Sequence, residues 1–242
     1  MGNQATNLIQ SITNPTKNTP EVKAYVIGFG HRARSGKDTA AAFIVQERGE
    51  EYGVKSYSFA RALKEEVTAA ALNAGGMRNL WNPSMWFYQE NGNLIQLPDW
   101  VVFEEDAPVD DLCPLGKQRT LLQWWGTEFR RSVNTNYWVD RLAETIAKEN
   151  PRVALITDMR FPNEMDFVKQ CGGDMVRVDR PSLPPLNGAA GAHPSELALA
   201  NVPDWEWTAI LKNDGTLEEF KVKTLKLFDT LFSLQGAGAI FT

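Results

Sequence analysis

Residues 31–39, with the sequence HRARSGKDT, carry the clearest chemistry in the chain. A Gly-Lys pair in a loop rich in glycine, serine and basic residues is typical of sites that bind the phosphates of a nucleoside triphosphate. In such a loop the backbone N–H groups, here those of residues 35–39, point at the anion, and the dipole of the following helix adds to the attraction. We expect Lys37 to contact the β- and γ-phosphates. The predicted triphosphate-binding residues here are Arg34, Ser35, Gly36, Lys37, Asp38 and Thr39.

Two positions of this loop depart from the usual phosphate-loop pattern. His31 stands where a glycine normally precedes Gly36 by five residues, and Asp38 stands where a serine or threonine normally holds magnesium. Asp38 is itself a hard oxygen ligand and Thr39 follows it, so a contact to Mg²⁺ survives by another route. The alternative is a glycine-rich turn that binds nothing, which the sequence Gly-Lys-Asp-Thr after a strand disfavours.

A second pair of chemically capable residues, Asp158 and Arg160, follows the apolar strand predicted over residues 152–158. Ligands of open parallel sheets bind beyond the carboxyl ends of the strands. We therefore expect Asp158 to lie at the same edge of the sheet as the phosphate loop and to serve as a third metal-ligating candidate. Arg180, which follows the next predicted strand, is a candidate for closing over the triphosphate.

A third group of candidates lies on the helix predicted over residues 117–133. At about 100° per residue, Arg119, Gln123, Thr127 and Arg130 share one stripe of this helix. Guanidinium groups beside an amide and a hydroxyl suit a phosphate and a base, whereas the alternative is an ordinary solvated face. The remaining candidates for substrate contact are Lys64, Trp124 and Arg131.

Strands alternating with helices position these residues. The first predicted strand begins at residue 23, and the other four cover residues 54–59, 152–158, 174–178 and 207–212. The predicted helices cover residues 39–52, 60–73, 117–133, 137–148, 162–171, 193–200 and 216–234. This alternation predicts a three-layer α/β fold with a five-stranded, mostly parallel sheet.

Domain organisation follows from local composition. We predict a flexible arm over residues 1–22 and a single domain over residues 23–236. Residues 77–116 are rich in tryptophan, proline and acidic residues without clear periodicity, which fits either a substrate-covering insertion or an oligomer contact such as that of a homodimer. Residues 182–192, rich in proline, glycine and alanine, fit a lid loop.

Composition excludes some classes of protein. The 242 residues carry a net charge of −5, which argues against a nucleic-acid binder. No apolar run approaches the ~18–20 residues needed to span a bilayer, and the residues before the first predicted strand lack the apolar core of a signal peptide. The two cysteines, Cys113 and Cys171, form neither a disulfide framework nor a metal quartet. We expect a cytoplasmic protein that binds small molecules, without nucleic-acid or membrane partners.

Several segments taken together resemble the phage-type deoxynucleoside monophosphate kinases, in that family's order. The resemblance spans residues 26 to about 230, and its segments are GHRARSGKDT, SFARALKE, LLQWWGTEFRR, YWVDRLA, DMRFPNE, VDRP, HPSE and NDGTLEEF. In this family Gly-Lys-Asp-Thr is the usual form of the loop, which accounts for Asp38 but leaves His31 unusual.

The resemblance implies the fold of the P-loop nucleoside monophosphate kinases and their reaction, in which a deoxynucleoside monophosphate takes the γ-phosphoryl group of ATP. It implies Mg²⁺ bound with ATP, and a host cytoplasm if the source is a phage. The predicted catalytic residues are Lys37, Arg130, Asp158 and Arg160. The alternatives are another small-molecule kinase of the superfamily, similar to dephospho-coenzyme A kinase, and a nucleotide-binding switch protein. The sequence contains no Asn-Lys-x-Asp segment, which would read guanine in a switch GTPase, and this disfavours the switch protein.

Overall fold

Strands and helices alternate along the chain from the first buried strand onward. The computed structural model describes residues 20–80, 87–90, 93–184 and 194–238. In chain order the elements are β1 (Tyr25–Gly30), α1 (Lys37–Tyr52), β2 (Val54–Tyr57), α2 (Phe59–Asn73), α3 (Met77–Leu80), β3 (Phe87–Glu90), β4 (Asn93–Gln96), α4 (Arg119–Trp124), a π-helical segment (Trp125–Arg131), α5 (Tyr137–Glu149), β5 (Val153–Met159), α6 (Pro162–Gln170), β6 (Asp174–Asp179), α7 (Pro194–Leu197), a 3₁₀ turn (Asp204–Glu206), β7 (Ala209–Lys212) and α8 (Leu217–Gly238).

Five of the strands form one sheet in the order β2-β5-β1-β6-β7, and every neighbouring pair is parallel. The strands are short apolar runs rich in β-branched residues, which suits a sheet covered on both faces. Because successive strands run parallel, the loops after β1, β5 and β6 emerge at one edge. The predicted α/β fold with a five-stranded parallel sheet is confirmed.

The chain divides into two compact units. The sheet unit comprises residues 19–59 and 139–242, and it contains the five-stranded sheet with α1, α6, α7 and α8. The inserted unit comprises residues 60–138 among those described.

Helices cover both faces of the sheet. On one face Ile27 and Phe29 of β1 belong to a buried cluster with Ile44 of α1 and Phe228 of α8. On the other face α6 packs close to β1, because a Cβ atom at Gly28 would lie only 2.9 Å from the Val168 side chain. The three-layer arrangement predicted from the alternation of elements is therefore present, and it fixes the direction in which β1 delivers the loop that follows it.

The inserted unit contains α2, α3, a two-stranded antiparallel hairpin of β3 and β4, α4, the π-helical segment and the start of α5. Side-chain bonds hold its irregular part. Lys64 Nζ lies 3.0 Å from Asp110 Oδ2, and Thr68 Oγ1 donates to the carbonyl of Leu112. Residues 77–116, in which we predicted no regular elements, thus include α3 and the hairpin.

The helix predicted over residues 117–133 differs from the observed one. It begins at Arg119 and changes to π-helical geometry at Trp125. A π-helix bonds i to i+5 and turns less per residue than an α-helix. The even spacing behind the predicted stripe of Arg119, Gln123, Thr127 and Arg130 therefore holds only for its first half.

Parts of three predictions lie outside the described residues: the arm up to residue 19, the lid loop from residue 185, and His193 at the start of the short helix. In the part of the chain that is described, no helix is both long and apolar enough to cross a membrane.

Candidate functional site

The phosphate loop joins β1 to α1 and starts the helix at Lys37. Gly36, the residue before it, has a φ of 110°, which residues with a side chain rarely adopt. A Cβ atom at this position would also lie 2.6 Å from Asn213 Nδ2. The same Asn213 amide donates to the carbonyl of Ser35 at 3.0 Å. The turn after β7 therefore anchors the loop directly before its lysine.

Lys37 is buried, and its amine turns back onto the loop. Its Nζ donates to the carbonyl of Arg32 at 2.5 Å and to that of His31 at 3.4 Å. Burial, reinforced by the positive charge of Arg160, lowers the pKa of Lys37 from 10.5 to about 8. The amine is still mostly protonated at pH 7, so it can bind an anion, and its carbonyl partners are groups that phosphate oxygens could replace.

Asp158 emerges from β5 at the edge of the sheet where the loop lies. Its carboxylate accepts hydrogen bonds from the backbone N–H of Phe59 at 2.8 Å and from Ser58 Oγ at 3.1 Å. Phe59 is the first residue of α2, so Asp158 caps that helix as well as facing the loop. Its negative charge acts on the Lys37 amine and raises the pKa of that lysine, which opposes the effect of burial.

Arg160 is held at two points. Its backbone N–H donates to Glu164 Oε2 at 2.6 Å, a bond from the first turn of α6 back to the residues that precede it. Its guanidinium donates to Glu196 Oε1 and to the carbonyl of Ser195. The second Glu196 oxygen accepts from the N–H of Ala33 in the phosphate loop at 3.3 Å. Arg160 is thereby linked to the loop through one carboxylate.

These contacts bring several predicted residues together within the sheet unit. The charges of Arg160, Asp38 and Asp158 all act on the Lys37 amine. Asp38 and Thr39 follow Lys37 in the first turn of α1, with Asp38 exposed and Thr39 half-buried. Of the remaining predicted residues here, Ser35 is buried, whereas Arg34 in the loop and Arg180 after β6 are exposed.

His31 adopts the backbone conformation for which a glycine is usual. Its φ is 93°, outside the range that L residues favour. Burial lowers the pKa of its imidazole, opposed by Asp179 and assisted by Arg177. Nδ1 lies 3.1 Å from Asp179 Oδ1, but at an angle that makes no hydrogen bond. We conclude that the backbone at His31 adopts the conformation of a phosphate loop and that its positive φ strains this residue.

In the inserted unit Arg130 lies in a cluster of aromatic rings around Glu66. Arg130 Nε donates to Glu66 Oε1 at 2.5 Å, and its guanidinium carbon lies 4.4 Å from the centroid of the Phe129 ring. Glu66 also accepts from Trp125 Nε1 at 2.8 Å and from the Tyr137 hydroxyl at 2.7 Å. Glu66 therefore joins α2 to the π-helical segment and to α5.

The other predicted substrate contacts differ in exposure. Lys64 forms an ion pair with Asp110. Trp124 is buried, and its ring stacks on Phe129 with 5.3 Å between centroids, so it has a packing role whether or not it also contacts a base. Arg119 is exposed, and the half-buried members of the group are Gln123, Thr127 and Arg131.

Comparison with known proteins places this site in context. The family model of deoxynucleotide monophosphate kinase matches residues 117–224, which include Asp158, Arg160 and Glu196 but not the phosphate loop. A protein of Acanthamoeba polyphaga mimivirus, provisionally named a deoxynucleotide monophosphate kinase, is 26% identical over 216 residues, covering 84% of this chain and 96% of its own.

The deoxynucleoside-5'-monophosphate kinase of Escherichia phage T5 is 29% identical over 179 residues, covering 60% of this chain and 72% of its own. The chain is similar in sequence to proteins named deoxynucleotide monophosphate kinases. The resemblance predicted from the sequence is thus confirmed. Among solved structures, a dephospho-CoA kinase from Campylobacter jejuni aligns over 86% of this chain and 98% of its own, with a TM-score of 0.45 and 13% identity, too distant to bear on activity.

Sequence reasoning missed three carboxylates that hold the candidate residues in place. Glu164 follows Pro162 at the spacing of a helix start, a signal that could have identified its bond to the backbone of Arg160. Neither Glu196 nor Glu66 is among the site residues predicted from the sequence. No local pattern marks Glu66 or Glu196, because their partners lie 36 to 163 residues away in the chain.

Proposed function

We propose that this protein transfers the γ-phosphoryl group of ATP to a deoxynucleoside monophosphate, which gives a deoxynucleoside diphosphate and ADP. The observation that carries the proposal is the proximity of two positive charges at the phosphate loop. The charge of Arg160 acts on the Lys37 amine, and Glu196, the partner of Arg160, bonds to Ala33 in the loop. The names of the relatives support the same reaction.

The phosphate loop binds the triphosphate of ATP in this proposal. Backbone N–H groups of residues 35–39 and the amine of Lys37 hold the β- and γ-phosphates, helped by the positive end of α1. Two exposed arginines, Arg34 and Arg180, contact the same nucleotide from the loop and from the end of β6.

Phosphoryl transfer leaves the protein mainly positioning and charge neutralisation. The acceptor is an oxygen of a phosphate group that is already ionised at neutral pH, so no strong general base is required. Two anions must nevertheless meet, and their repulsion has to be offset by cations at the point of transfer. Lys37 and Arg160 supply two of these charges.

The magnesium ion that accompanies ATP would be held by Asp38, Thr39 and Asp158. These side chains present hard oxygen atoms, which suit Mg²⁺, and the ion commonly uses one or two carboxylates together with substrate phosphates and water. In the described residues no group of three or more His, Cys, Asp or Glu side chains could hold a metal by itself. The donor set therefore fits an ion bound largely by phosphate and water, which would neutralise charge on the phosphates.

The acceptor nucleotide is assigned to residues of the inserted unit. Arg130 and Arg131 are the proposed ligands of its phosphate, and Gln123 and Thr127 those of its base. Arg119 and Lys64 are weaker candidates, since Arg119 is exposed and Lys64 already pairs with Asp110. Trp124 is the least suited, because its ring is buried against Phe129.

A coupled assay of ADP formation tests the proposed function. The purified protein with Mg²⁺ and ATP is given dAMP, dCMP, dGMP, dTMP, the four ribonucleotides and dephospho-coenzyme A in separate reactions. We expect turnover with at least one deoxynucleotide and none with dephospho-coenzyme A. Turnover with dephospho-coenzyme A alone would indicate the other kinase class. Binding of ATP without transfer to any acceptor would indicate a switch protein.

A further inference from the structure

Glu196 connects three separate segments of the sheet unit. It lies in α7, a helix of only four residues, Pro194–Leu197. One of its oxygens accepts from the guanidinium of Arg160, which follows β5, and the other accepts from the N–H of Ala33 in the phosphate loop. A single carboxylate thus bridges the predicted catalytic arginine and the predicted triphosphate site.

The position of this carboxylate is explained by charge rather than by packing. The Glu196 side chain is only 7% exposed, and a buried carboxylate requires partners. Its neighbour Leu197 is 52% exposed, so α7 does not insert into a core at this point. The charge of Glu196 also acts on Lys37 and raises the pKa of that amine, against the effect of Arg160.

Two carboxylates therefore fix Arg160 at its two ends. Glu164 accepts from the backbone N–H of Arg160, and Glu196 accepts from its guanidinium. Without Glu196, the repulsion between the charges of Lys37 and Arg160 would push the longer, half-buried arginine side chain away from the loop. Catalysis by positioned charge is sensitive to displacements of about 1 Å, which can cost about 100-fold in rate.

We propose that Glu196 is a positioning residue that holds the Arg160 guanidinium against the phosphate loop. The proposal rests on the proposed function, because it assumes that Arg160 neutralises charge during phosphoryl transfer. Glu196 itself does not contact the reacting atoms. Glutamine keeps an oxygen that can accept from Ala33, so Glu196→Gln should affect turnover mainly through Arg160.

A double-mutant cycle in kcat and KM tests this dependence. Glu196→Gln keeps the size of the side chain but removes its charge. We expect it to lower kcat about 10- to 100-fold with KM for ATP changed less than about threefold. In the Arg160→Ala background the same substitution should lower kcat less than about twofold. If the two losses multiply instead, Glu196 acts independently of Arg160 and the proposal is wrong.

Glu206→Gln is the matched control. Glu206 is a carboxylate of the same unit that pairs with Lys169 at the surface, so its loss should leave kcat within about twofold. An equal loss of kcat in this control would show a general effect of charge and would overturn the proposal.

The unfolding equilibrium separates this inference from the proposed function. Glu196→Gln, Arg160→Ala and the double variant are unfolded in urea. Contact between Glu196 and Arg160 should give a coupling of at least about threefold in the unfolding constant. Coupling in unfolding without any effect on kcat would show a purely structural pair and overturn positioning. If the wild type transfers phosphate to no acceptor while the unfolding coupling is present, the proposed function fails and the contact stands. Absence of that coupling overturns the contact itself, whatever the activity.

Discussion

Two of the arginine–glutamate pairs in the described residues lie in contrasting surroundings. In the sheet unit Arg160 pairs with Glu196, and the remaining oxygen of that glutamate bonds to the N–H of Ala33 in the phosphate loop. In the inserted unit Arg130 pairs with Glu66, and the other donors to that glutamate are the Trp125 ring and the Tyr137 hydroxyl.

The difference lies in what the rest of each pair touches. The Arg130 guanidinium lies within 6 Å of the ring centroids of Phe129, Trp125 and Tyr137, at 4.4, 5.8 and 5.3 Å. Such cation–π contacts stabilise a packed cluster. The Arg160 guanidinium instead lies among charged and polar groups, where it influences the pKa of Lys37. The same type of ion pair thus lies in a packed aromatic cluster in one unit and beside the proposed anion site in the other.

Among substitutions in the sheet unit, Lys37→Ala should have the largest effect on turnover. Removing the amine takes away a charge placed at the phosphates, and we expect turnover to fall by about 10³-fold or more. Circular dichroism should show an unchanged fold, because the buried amine bonds only to loop atoms. Lys55→Ala, which removes an exposed lysine paired with Glu149, is the control and should retain normal turnover. Near-normal turnover of Lys37→Ala would remove this lysine from the site.

Arg160→Ala should lower kcat by about 100-fold. In the proposed function the arginine acts on charge that develops during transfer, so kcat should change more than KM for ATP. Steady-state kinetics at saturating acceptor measure both parameters. A change confined to KM for ATP would show that Arg160 binds the nucleotide without assisting transfer.

Arg130→Ala should primarily affect stability. The substitution leaves Glu66 buried without its charged partner, and breaking such a pair costs about 3 kcal/mol in the free energy of unfolding. Urea unfolding measures this loss. As a proposed ligand of the acceptor phosphate, Arg130 should also raise KM for the monophosphate more than KM for ATP when it is removed.

The matched variant is Arg160→Ala, which also leaves a largely buried carboxylate, Glu196, without its charged partner and should lose stability to a similar degree. The kinetic effects therefore separate the two arginines, and equal changes in kcat and in KM for the monophosphate would remove the contrast between the units. A rise in KM for ATP rather than for the monophosphate would move Arg130 from the acceptor to the donor nucleotide.

The predicted parts of the sheet unit came from local signals. Apolar, β-branched runs mark the strands, and the glycine-lysine pair after β1 marks the start of α1. Placing Asp158 and Arg160 beside the loop required only the rule that parallel strands end at one edge. All five strands were predicted, with ends that differ by up to two residues because backbone pairing, not residue type, decides where a strand stops.

The inserted unit shows what local signals leave out. Its π-helical segment has the composition of an amphipathic α-helix, so the periodicity gave no indication of the change at Trp125. The hairpin of β3 and β4 lies among prolines and tryptophans without alternation. Glu66 and Glu196 were not predicted as site residues because their roles depend on partners distant in sequence. Long-range pairing of this kind leaves no periodic trace.

The pH dependence of ATP binding tests the electrostatics of Lys37. With a pKa of about 8, the free protein loses this charge above pH 8, so kcat/KM for ATP should fall up to tenfold per pH unit there. The unfolded chain keeps the proton up to its ordinary pKa of 10.5 and so binds more protons between pH 8 and 10.5. This lysine therefore makes folding more favourable as pH rises through that window. Constant kcat/KM between pH 8 and 9.5 would contradict the lowered pKa.

His31→Gly should have the smallest effect and concerns the backbone of the phosphate loop alone. A positive φ destabilises the folded state by about 1–3 kcal/mol at a residue other than glycine. Replacement by glycine removes this strain but costs about 0.5–1 kcal/mol, because glycine is freer in the unfolded chain. We expect the variant to be more stable by about 1 kcal/mol in urea unfolding, with turnover within about threefold of the wild type.

Asn150→Gly is the control for this substitution. Asn150 also has a positive φ, 45°, but asparagine tolerates the left-handed region, so the gain in stability there should be smaller. A loss of stability in His31→Gly would mean that the imidazole, which lies 3.1 Å from Asp179, stabilises the loop by more than its backbone strain costs. Because burial lowers the pKa of His31, that stabilisation would involve a mostly neutral ring at pH 7 and should change little between pH 7 and 8. Strain relief also changes little over that range, so the sign of the effect, rather than its pH dependence, distinguishes the two explanations.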